Sequence, residues 1–376
     1  MVSNPVRLHK LKQSLWLDNI QRRQLKNGEL AAMIENGDIR GMTSNPSIFH
    51  AAITKSDDYD DAIRTLAGKG YSAEQIYESL AVEDIRAAAD LFRSMYEESE
   101  GGDGYVSLEV SPYLAYDTEK TAAEAKRLWG LVDRPNLMVK IPATQAGLPA
   151  ITESIEDGIN VNVTLIFSQV RHMEVVDAHL AGLEKRLEAG KPLVGVASVA
   201  SFFVSRIDSK VDKKLEEIVR GEGPNAGLAA SLRGRLAIAN AKVAYEKFLQ
   251  VCSGERAMRL KSEGAWMQRP LWASTSTKNP NYPDTMYVDE LIGPDTVNTV
   301  PPNTLEAFKD HGTARQSLES DMARASQAFE ELRTAGIWFQ QITQELEEEG
   351  VKAFADSFKA LLDAIEERRQ KIITQE

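Results

Sequence analysis

The run Leu137-Met138-Val139-Lys140-Ile141-Pro142 carries a lysine in the middle of an apolar stretch. Side chains alternate across a strand, so Met138, Lys140 and Pro142 share one face and Val139 and Ile141 the other. An ammonium directed into an apolar interior is costly unless it is paired or neutral. Burial favours the free amine, and a free amine attacks carbonyl carbon to form a Schiff base. A salt-bridged or snorkelling lysine is the plainer reading of the same pattern. Two carboxylates repeat the anomaly. In Val106-Ser107-Leu108-Glu109-Val110-Ser111, Ser107, Glu109 and Ser111 lie opposite Leu108 and Val110; in the first strand, Trp16 and Asp18 share a face. If Asp18 and Glu109 meet Lys140 in one lumen, they can act as acid, base or water holder. Alone, each is more often a structural ion-pair partner.

The segment from Ile159 to Phe167 separates an apolar face (Val161, Val163, Leu165 and Phe167) from a polar one (Asn160, Asn162 and Thr164). Amides and hydroxyls turned inward suit a polyol. Thr43-Ser44-Asn45-Pro46 reads as a strand end turning into a helix, with capping chemistry as the plain account of Asn45. Ser274-Thr275-Ser276-Thr277-Lys278 places a hydroxyl cluster and one cation after a strand, and Ser201 to Arg206 adds an arginine. Hydroxyls, backbone N–H groups and a cation suit a phosphate, which barrel enzymes often bind after strands seven and eight. A solvated surface charge is the alternative for either cation.

These residues need a frame. Eight short apolar runs are expected as strands: Leu15 to Ile20, Gly41 to Pro46, Val106 to Ser111, Leu137 to Thr144, Ile159 to Ser168, Leu193 to Ser201, Pro270 to Thr275 and Val297 to Pro301. Helical periodicity is clearest in Ala73 to Glu98, Glu119 to Leu131, Gln169 to Ala189 and Ala226 to Val251. Strand–helix alternation predicts an α/β fold, a (β/α)8 TIM barrel with extra helices. No linker separates domains, so residues 1–376 are expected as a single barrel domain, with 314–376 a C-terminal helical extension that caps the site or packs on the flank. GGDG at 101–104 and NPNYPD at 279–284 read as loops.

Composition narrows the function classes. With 376 residues, 43% hydrophobic, and 24 Gly and 14 Pro, the chain is neither disordered nor low-complexity. A net charge of −12 argues against general binding to nucleic acid or anionic lipid. The single cysteine, Cys252, forms no internal disulfide and reads as a small buried hydrophobe. The start lacks a signal-peptide core and no window suits a membrane span, which predicts a cytoplasmic protein. The five histidines have no familiar ligand spacing, although His172 and His179 fall on one helix face. Gly221 to Gly227 only superficially approaches a dinucleotide fingerprint, since it follows a helical segment and contains Pro.

Four segments together resemble the transaldolase family: GMTSNPSIF at 41–49, LMVKIPAT at 137–144, GINVNVTLIFS at 158–168 and VASFFVSRID at 199–208. The resemblance runs through strands one to seven, roughly residues 14 to 280, and LWASTSTKNP looks like the longer bacterial branch. It implies a class I aldolase barrel that needs no metal or organic cofactor, with Lys140 as the Schiff-base lysine. It implies Asp18 as general acid/base, and Glu109 with Thr164 as holders of a catalytic water. Asn45, Asn162 and Ser201 would bind substrate hydroxyls; Arg206 would bind phosphate, and Ser274 is the family's serine after strand seven. Many members have a second phosphate arginine where Ser276 stands here, leaving Lys278 as the nearest cation. The implied reaction moves a dihydroxyacetone unit between sugar phosphates, in a monomer or homodimer. The related fructose 6-phosphate aldolase releases that unit instead; Phe203, where tyrosine accompanies cleavage, favours transfer. A non-catalytic sugar-phosphate-binding barrel is the third expectation, opposed by the conjunction of Lys140, Asp18 and Glu109.

Overall fold

The computed structural model describes residues 2–373. Eight parallel strands close into a barrel in sequence order: β1 Gln13–Asp18, β2 Gly41–Thr43, β3 Tyr105–Glu109, β4 Leu137–Pro142, β5 Val161–Ile166, β6 Ser198–Phe203, β7 Arg269–Ala273 and β8 Thr296–Val300. The outward residues, such as Val139, Ile141, Val161 and Val163, are buried under a ring of helices. This double coverage is why the strands read as apolar runs.

All eight expected strands are present, with shifted ends. β2 stops at Thr43 because Pro46 opens the helix Pro46–Thr54, which Asn45 caps by accepting from the Ile48 N–H at 3.1 Å. β6 begins at Ser198, not Leu193, since Gly195 adopts a left-handed turn before it (φ 87°). The helical stretch expected over Ala226 to Val251 is two helices, Ala226–Leu232 and Leu236–Cys252. Gly234 lies in the left-handed region between them (φ 69°), and a Cβ there would meet the Tyr282 ring at 2.8 Å. Ala73 to Glu98 likewise divides at Phe92, into Ala73–Leu91 and Arg93–Glu98. The first of these begins with a capping box between Ser72 and Gln75.

One expectation about faces fails. Leu165 and Phe167 do not continue the outward row of Val161 and Val163. The β5–β6 register shifts between Val163 and Ile166, and Leu165 has a positive φ of 61°. A non-glycine residue there is strained, by about 1–3 kcal/mol. The bulge turns both side chains onto the C-terminal helix Phe339–Ile373. A Cβ at Gly350 would stand 3.1 Å from Leu165 and 3.4 Å from the Phe167 ring.

That helix also packs on the helices Pro46–Thr54, Asp60–Gly68, Ala73–Leu91 and Ser205–Arg220, so it crosses the end of the barrel where the strands finish. The extension expected over 314–376 holds two helices, Met322–Thr334 and Phe339–Ile373, divided around Gly336 (φ 91°); residues 374–376 lie outside the described residues. No described helix is long and apolar enough to cross a membrane. His172 and His179 are core residues of the helix Gln169–Glu188. His172 meets the Phe202 ring edge-on, and His179 reaches the Trp266 carbonyl at 3.0 Å. Burial pushes both imidazoles down to about 4. Cys252 is only partly buried.

The amino-terminal end of the barrel is plugged. Asp103, from the GGDG loop, accepts from Ser14 (2.8 Å) and Arg40 (2.7 Å) and lies 3.5 Å from Arg269, tying β1, β7 and the approach to β2 together. The Trp16 indole covers Gly41, where a Cβ would lie 2.6 Å from the ring. Gly41→Ala should therefore overpack the barrel floor and cost about 1–3 kcal/mol. A lowered denaturant midpoint at unchanged slope is the expected result.

Candidate active site

Parallel register sets the side chains of the site. Glu109 pairs with Lys140 across β3 and β4, and Lys140 with Asn162 across β4 and β5; Asp18 pairs with Thr43 across β1 and β2. Asp18, Thr43 and Glu109 are the last residues of their strands and Lys140 lies two before the end of β4, toward the functional end of such barrels, whereas Asn162 is the second residue of β5. A cavity of about 500 Å³ opens there, bounded by Asp18, Asn45, Lys140, Ser201, Phe203, Arg206, Ser274 and Lys278. Eight of the eleven expected site residues thus line one chamber. Glu109, Asn162 and Thr164 lie outside its wall.

Lys140 is 4% exposed, and its Nζ donates to the Ser44 carbonyl at 3.1 Å. Its Nζ is 3.7 Å from Glu109 Oε2, an ion-pair distance too long for a hydrogen bond. Among the described residues, neither Glu109 oxygen has a hydrogen-bond partner, and the buried Thr164 hydroxyl has none. Burial pushes the Glu109 carboxyl up to about 7 against the downward pull of the Lys140 charge, with Asp18 adding a smaller upward push. Asp18 accepts from Thr43 Oγ1 at 2.7 Å, and Thr43 in turn meets Thr299 Oγ1 at 2.7 Å. Burial raises the Asp18 carboxyl, while Lys140, Thr43 and Lys278 hold it down.

Beneath the chamber, Ser201 donates to Asn162 Oδ1 at 2.6 Å and Asn162 donates to Ser107 Oγ at 3.0 Å. This chain crosses β6, β5 and β3 and fixes the amide orientation. Asn160, on the expected inward polar row, serves the fold instead. It donates to the carbonyls of Pro135 (2.8 Å) and Leu137 (3.1 Å) and accepts from the Ala197 N–H (2.8 Å).

The cations stand at one side of the chamber. Arg206 lies in the first turn of Ser205–Arg220, directly after β6, with its guanidinium 5.4 Å from the Phe203 ring centroid. Burial lowers the Arg206 guanidinium. Lys278 donates to Ser276 Oγ at 2.6 Å; burial lowers its ammonium, and the nearby Arg206 charge adds to that. Ser274 has a positive φ of 55°, and its hydroxyl meets Ser205 Oγ at 2.9 Å. Ser276 also lines the chamber, so the expected departure from a second arginine places a hydroxyl in the wall.

Some wall residues were not expected. Thr43 holds Asp18 and Thr299 meets Thr43 from behind; the register of Thr43 beside Asp18 was the available signal. Phe354, from the C-terminal helix, lines the chamber with its ring centroid 5.8 Å from Lys140 Nζ. Among the described residues, no three His, Cys, Asp or Glu side chains are grouped as metal ligands.

A closed eight-stranded parallel barrel, with a polar chamber where its strands end and a buried lysine at that chamber, defines a (β/α)8 enzyme. Residues 15–365 match the family described as Transaldolase/Fructose-6-phosphate aldolase, and the chain belongs to that family. It is 49% identical to the Transaldolase of Saccharopolyspora erythraea over 94% of both chains. It is 48% identical to that of Mycolicibacterium smegmatis over 93% of both, and 49% identical to that of Thermobifida fusca over 94% of both.

The Glu109 carboxyl should titrate near 7. An infrared difference titration between wild type and Glu109→Gln reads this directly. Lys140→Met removes the cation that holds the carboxyl down, so its midpoint should rise. The folded protein binds this proton more tightly than the unfolded chain does. The resulting stability is present below about 4.5 and lost as pH rises through about 7. A midpoint below 5 would show that burial does not control this group.

Proposed function

We propose that this protein is a transaldolase of the pentose phosphate pathway, moving a dihydroxyacetone unit from a ketose phosphate to an aldose phosphate through a Schiff base on Lys140. The donor is sedoheptulose 7-phosphate or fructose 6-phosphate, and the acceptor glyceraldehyde 3-phosphate or erythrose 4-phosphate. The observation that carries the reading is Lys140 at the chamber wall, 3.7 Å from a buried carboxylate that has no hydrogen-bond partner among the described residues.

Glu109 takes a proton from the Lys140 ammonium, and the free amine attacks the ketose C2 carbonyl. Glu109 then returns the proton, through a water shared with Thr164, as the carbinolamine loses its hydroxyl. A carboxyl pushed to about 7 gives and takes protons at little cost near neutral pH. Asp18 removes the C4 hydroxyl proton and C3–C4 breaks, the electron pair passing into the iminium to give the enamine. Asn45 and the Ser201–Asn162 pair suit the substrate hydroxyls. Arg206, Lys278 and the first turn of Ser205–Arg220 suit the phosphate, a multiply charged anion. Ser274 completes that side.

Transfer requires that the enamine outlive departure of the first aldose, so water must be kept from it. Phe203 is 7% exposed, packed between Arg206 and Phe167, and Phe354 lies over Lys140. Neither ring can donate or hold a proton, which favours transfer over release of dihydroxyacetone. The chain works as one barrel domain whose C-terminal extension closes the chamber, and in the cytoplasm, where these sugar phosphates are made and used.

Borohydride reduction with fructose 6-phosphate should leave the three-carbon adduct on Lys140, located by mass spectrometry; an adduct on another lysine refutes the assignment. Glu109→Gln should slow Schiff-base formation by on the order of 10²–10⁴-fold. Phe203→Tyr brings a hydroxyl that can order water beside the enamine. It should raise dihydroxyacetone release relative to transfer to erythrose 4-phosphate. Equal loss of both activities would reduce Phe203 to a packing residue.

A further inference from the structure

A second cavity, of about 200 Å³, is bounded by Glu109 but not by Lys140, whereas the substrate chamber is bounded by Lys140 but not by Glu109. One member of the ion pair thus borders each space. The second space is walled by Ala81 and Val82 of the helix Ala73–Leu91, by Ser111 and Tyr113 just after β3, and by Tyr77 and Phe358. It reaches the surface at Tyr113, which is 55% exposed. Phe358 meets Tyr77 and Tyr113 edge-on, with centroids at 5.3 and 5.4 Å. Burial and the Glu109 charge both raise the Tyr77 phenol, so this ring senses the carboxylate. Both Glu109 oxygens are buried and, among the described residues, accept no hydrogen bond.

We propose that this second cavity is a water passage serving Glu109 from behind, separate from the route taken by substrate. The inference rests on the Schiff-base reading of Lys140. In that chemistry the Lys140 nitrogen lone pair forms the C=N bond as the C2–O bond breaks. The oxygen leaves as water with the proton of the Glu109 carboxylic acid, and Glu109 ends as carboxylate. The reverse sequence consumes a water and returns the proton to Glu109. Each cycle thus releases one water and later takes one up. Beyond the one water held between Glu109 and Thr164, a second water retained in the substrate chamber would stand beside the enamine, where an added proton source diverts transfer into release. An exit behind the carboxylate resolves this conflict: water leaves past Glu109 to Tyr113, and Lys140 keeps an apolar roof in Phe354.

The test uses fructose 6-phosphate carrying a heavy-oxygen label at C2. Label lost from recovered substrate is measured against transfer to erythrose 4-phosphate, with Lys140→Met giving the uncatalysed background. Ser111→Met plugs the passage from a partly exposed loop position, and Ala81→Met plugs it from the helix. Retained water returns to the same carbon, so the ratio of label loss to transfer should fall several-fold in both variants. The ratio cancels general damage, which lowers both rates together. An unchanged ratio in either folded variant overturns the passage. Absence of a borohydride-trapped Lys140 adduct in the wild-type enzyme would instead overturn the Schiff-base reading, so the two failures are distinguishable.

Discussion

Lys140 and Glu109 are each nearly inaccessible, and each would be expensive to bury charged without the other. The pairing is deliberately incomplete. Among the described residues, Lys140 has one backbone carbonyl besides Glu109, and Glu109 accepts no hydrogen bond. A fully hydrogen-bonded carboxylate would be held low and inert. Here burial outweighs the lysine charge, and the proton is left balanced near neutrality. That balance depends on the separation of the two groups, which one step of register between β3 and β4 would destroy.

The barrel supplies that separation by dividing its interior along its axis. Below, Trp16 and the Asp103 cluster close the amino-terminal end with bulk and with partly buried ion pairs. Above, the same strands present Asp18, Lys140 and Ser201 to an open chamber. Between them the Ser201–Asn162–Ser107 chain lies across three strands. Each member donates or accepts toward the next, so the amide cannot rotate without leaving a buried polar atom unpaired.

Much of this was legible because a strand has a period of two. A single lysine among Met138, Val139 and Ile141 announces its own face, and Glu109 and Asp18 follow by the same rule. The rule gives a row but no height, which is why Asn160 reads like Asn162 although it works at the opposite end. It also assumes unbroken pleating. Leu165 keeps the alternation in sequence while its backbone leaves it, and no glycine marks the bulge. Gly234 and Gly336, by contrast, mark their breaks openly. Phe354 carried no local signal: its importance comes from a contact with Lys140 across most of the chain.

The roof that Phe354 forms is held mainly by apolar contact. The C-terminal helix is pinned by Arg171–Glu347, by Lys210 with Glu345 and Glu349, and by Arg368–Asp60. These pairs are half-buried at the protein surface, where solvent still screens them and each contributes only about 1 kcal/mol. The stronger hold is the row Val351, Phe354, Phe358, Leu361 and Ile365, all buried at helical spacing. Phe354 and Phe358 are one turn apart, so a single helix face covers both the space beside Lys140 and the space beside Glu109. The strained Leu165 belongs to the same device, because its bulge turns Leu165 and Phe167 against Gly350, where a larger residue would lift the helix. Strain in β5 is thus exchanged for a close-fitting roof, and the apolar cover over Lys140 depends on a segment that contributes no strand to the barrel.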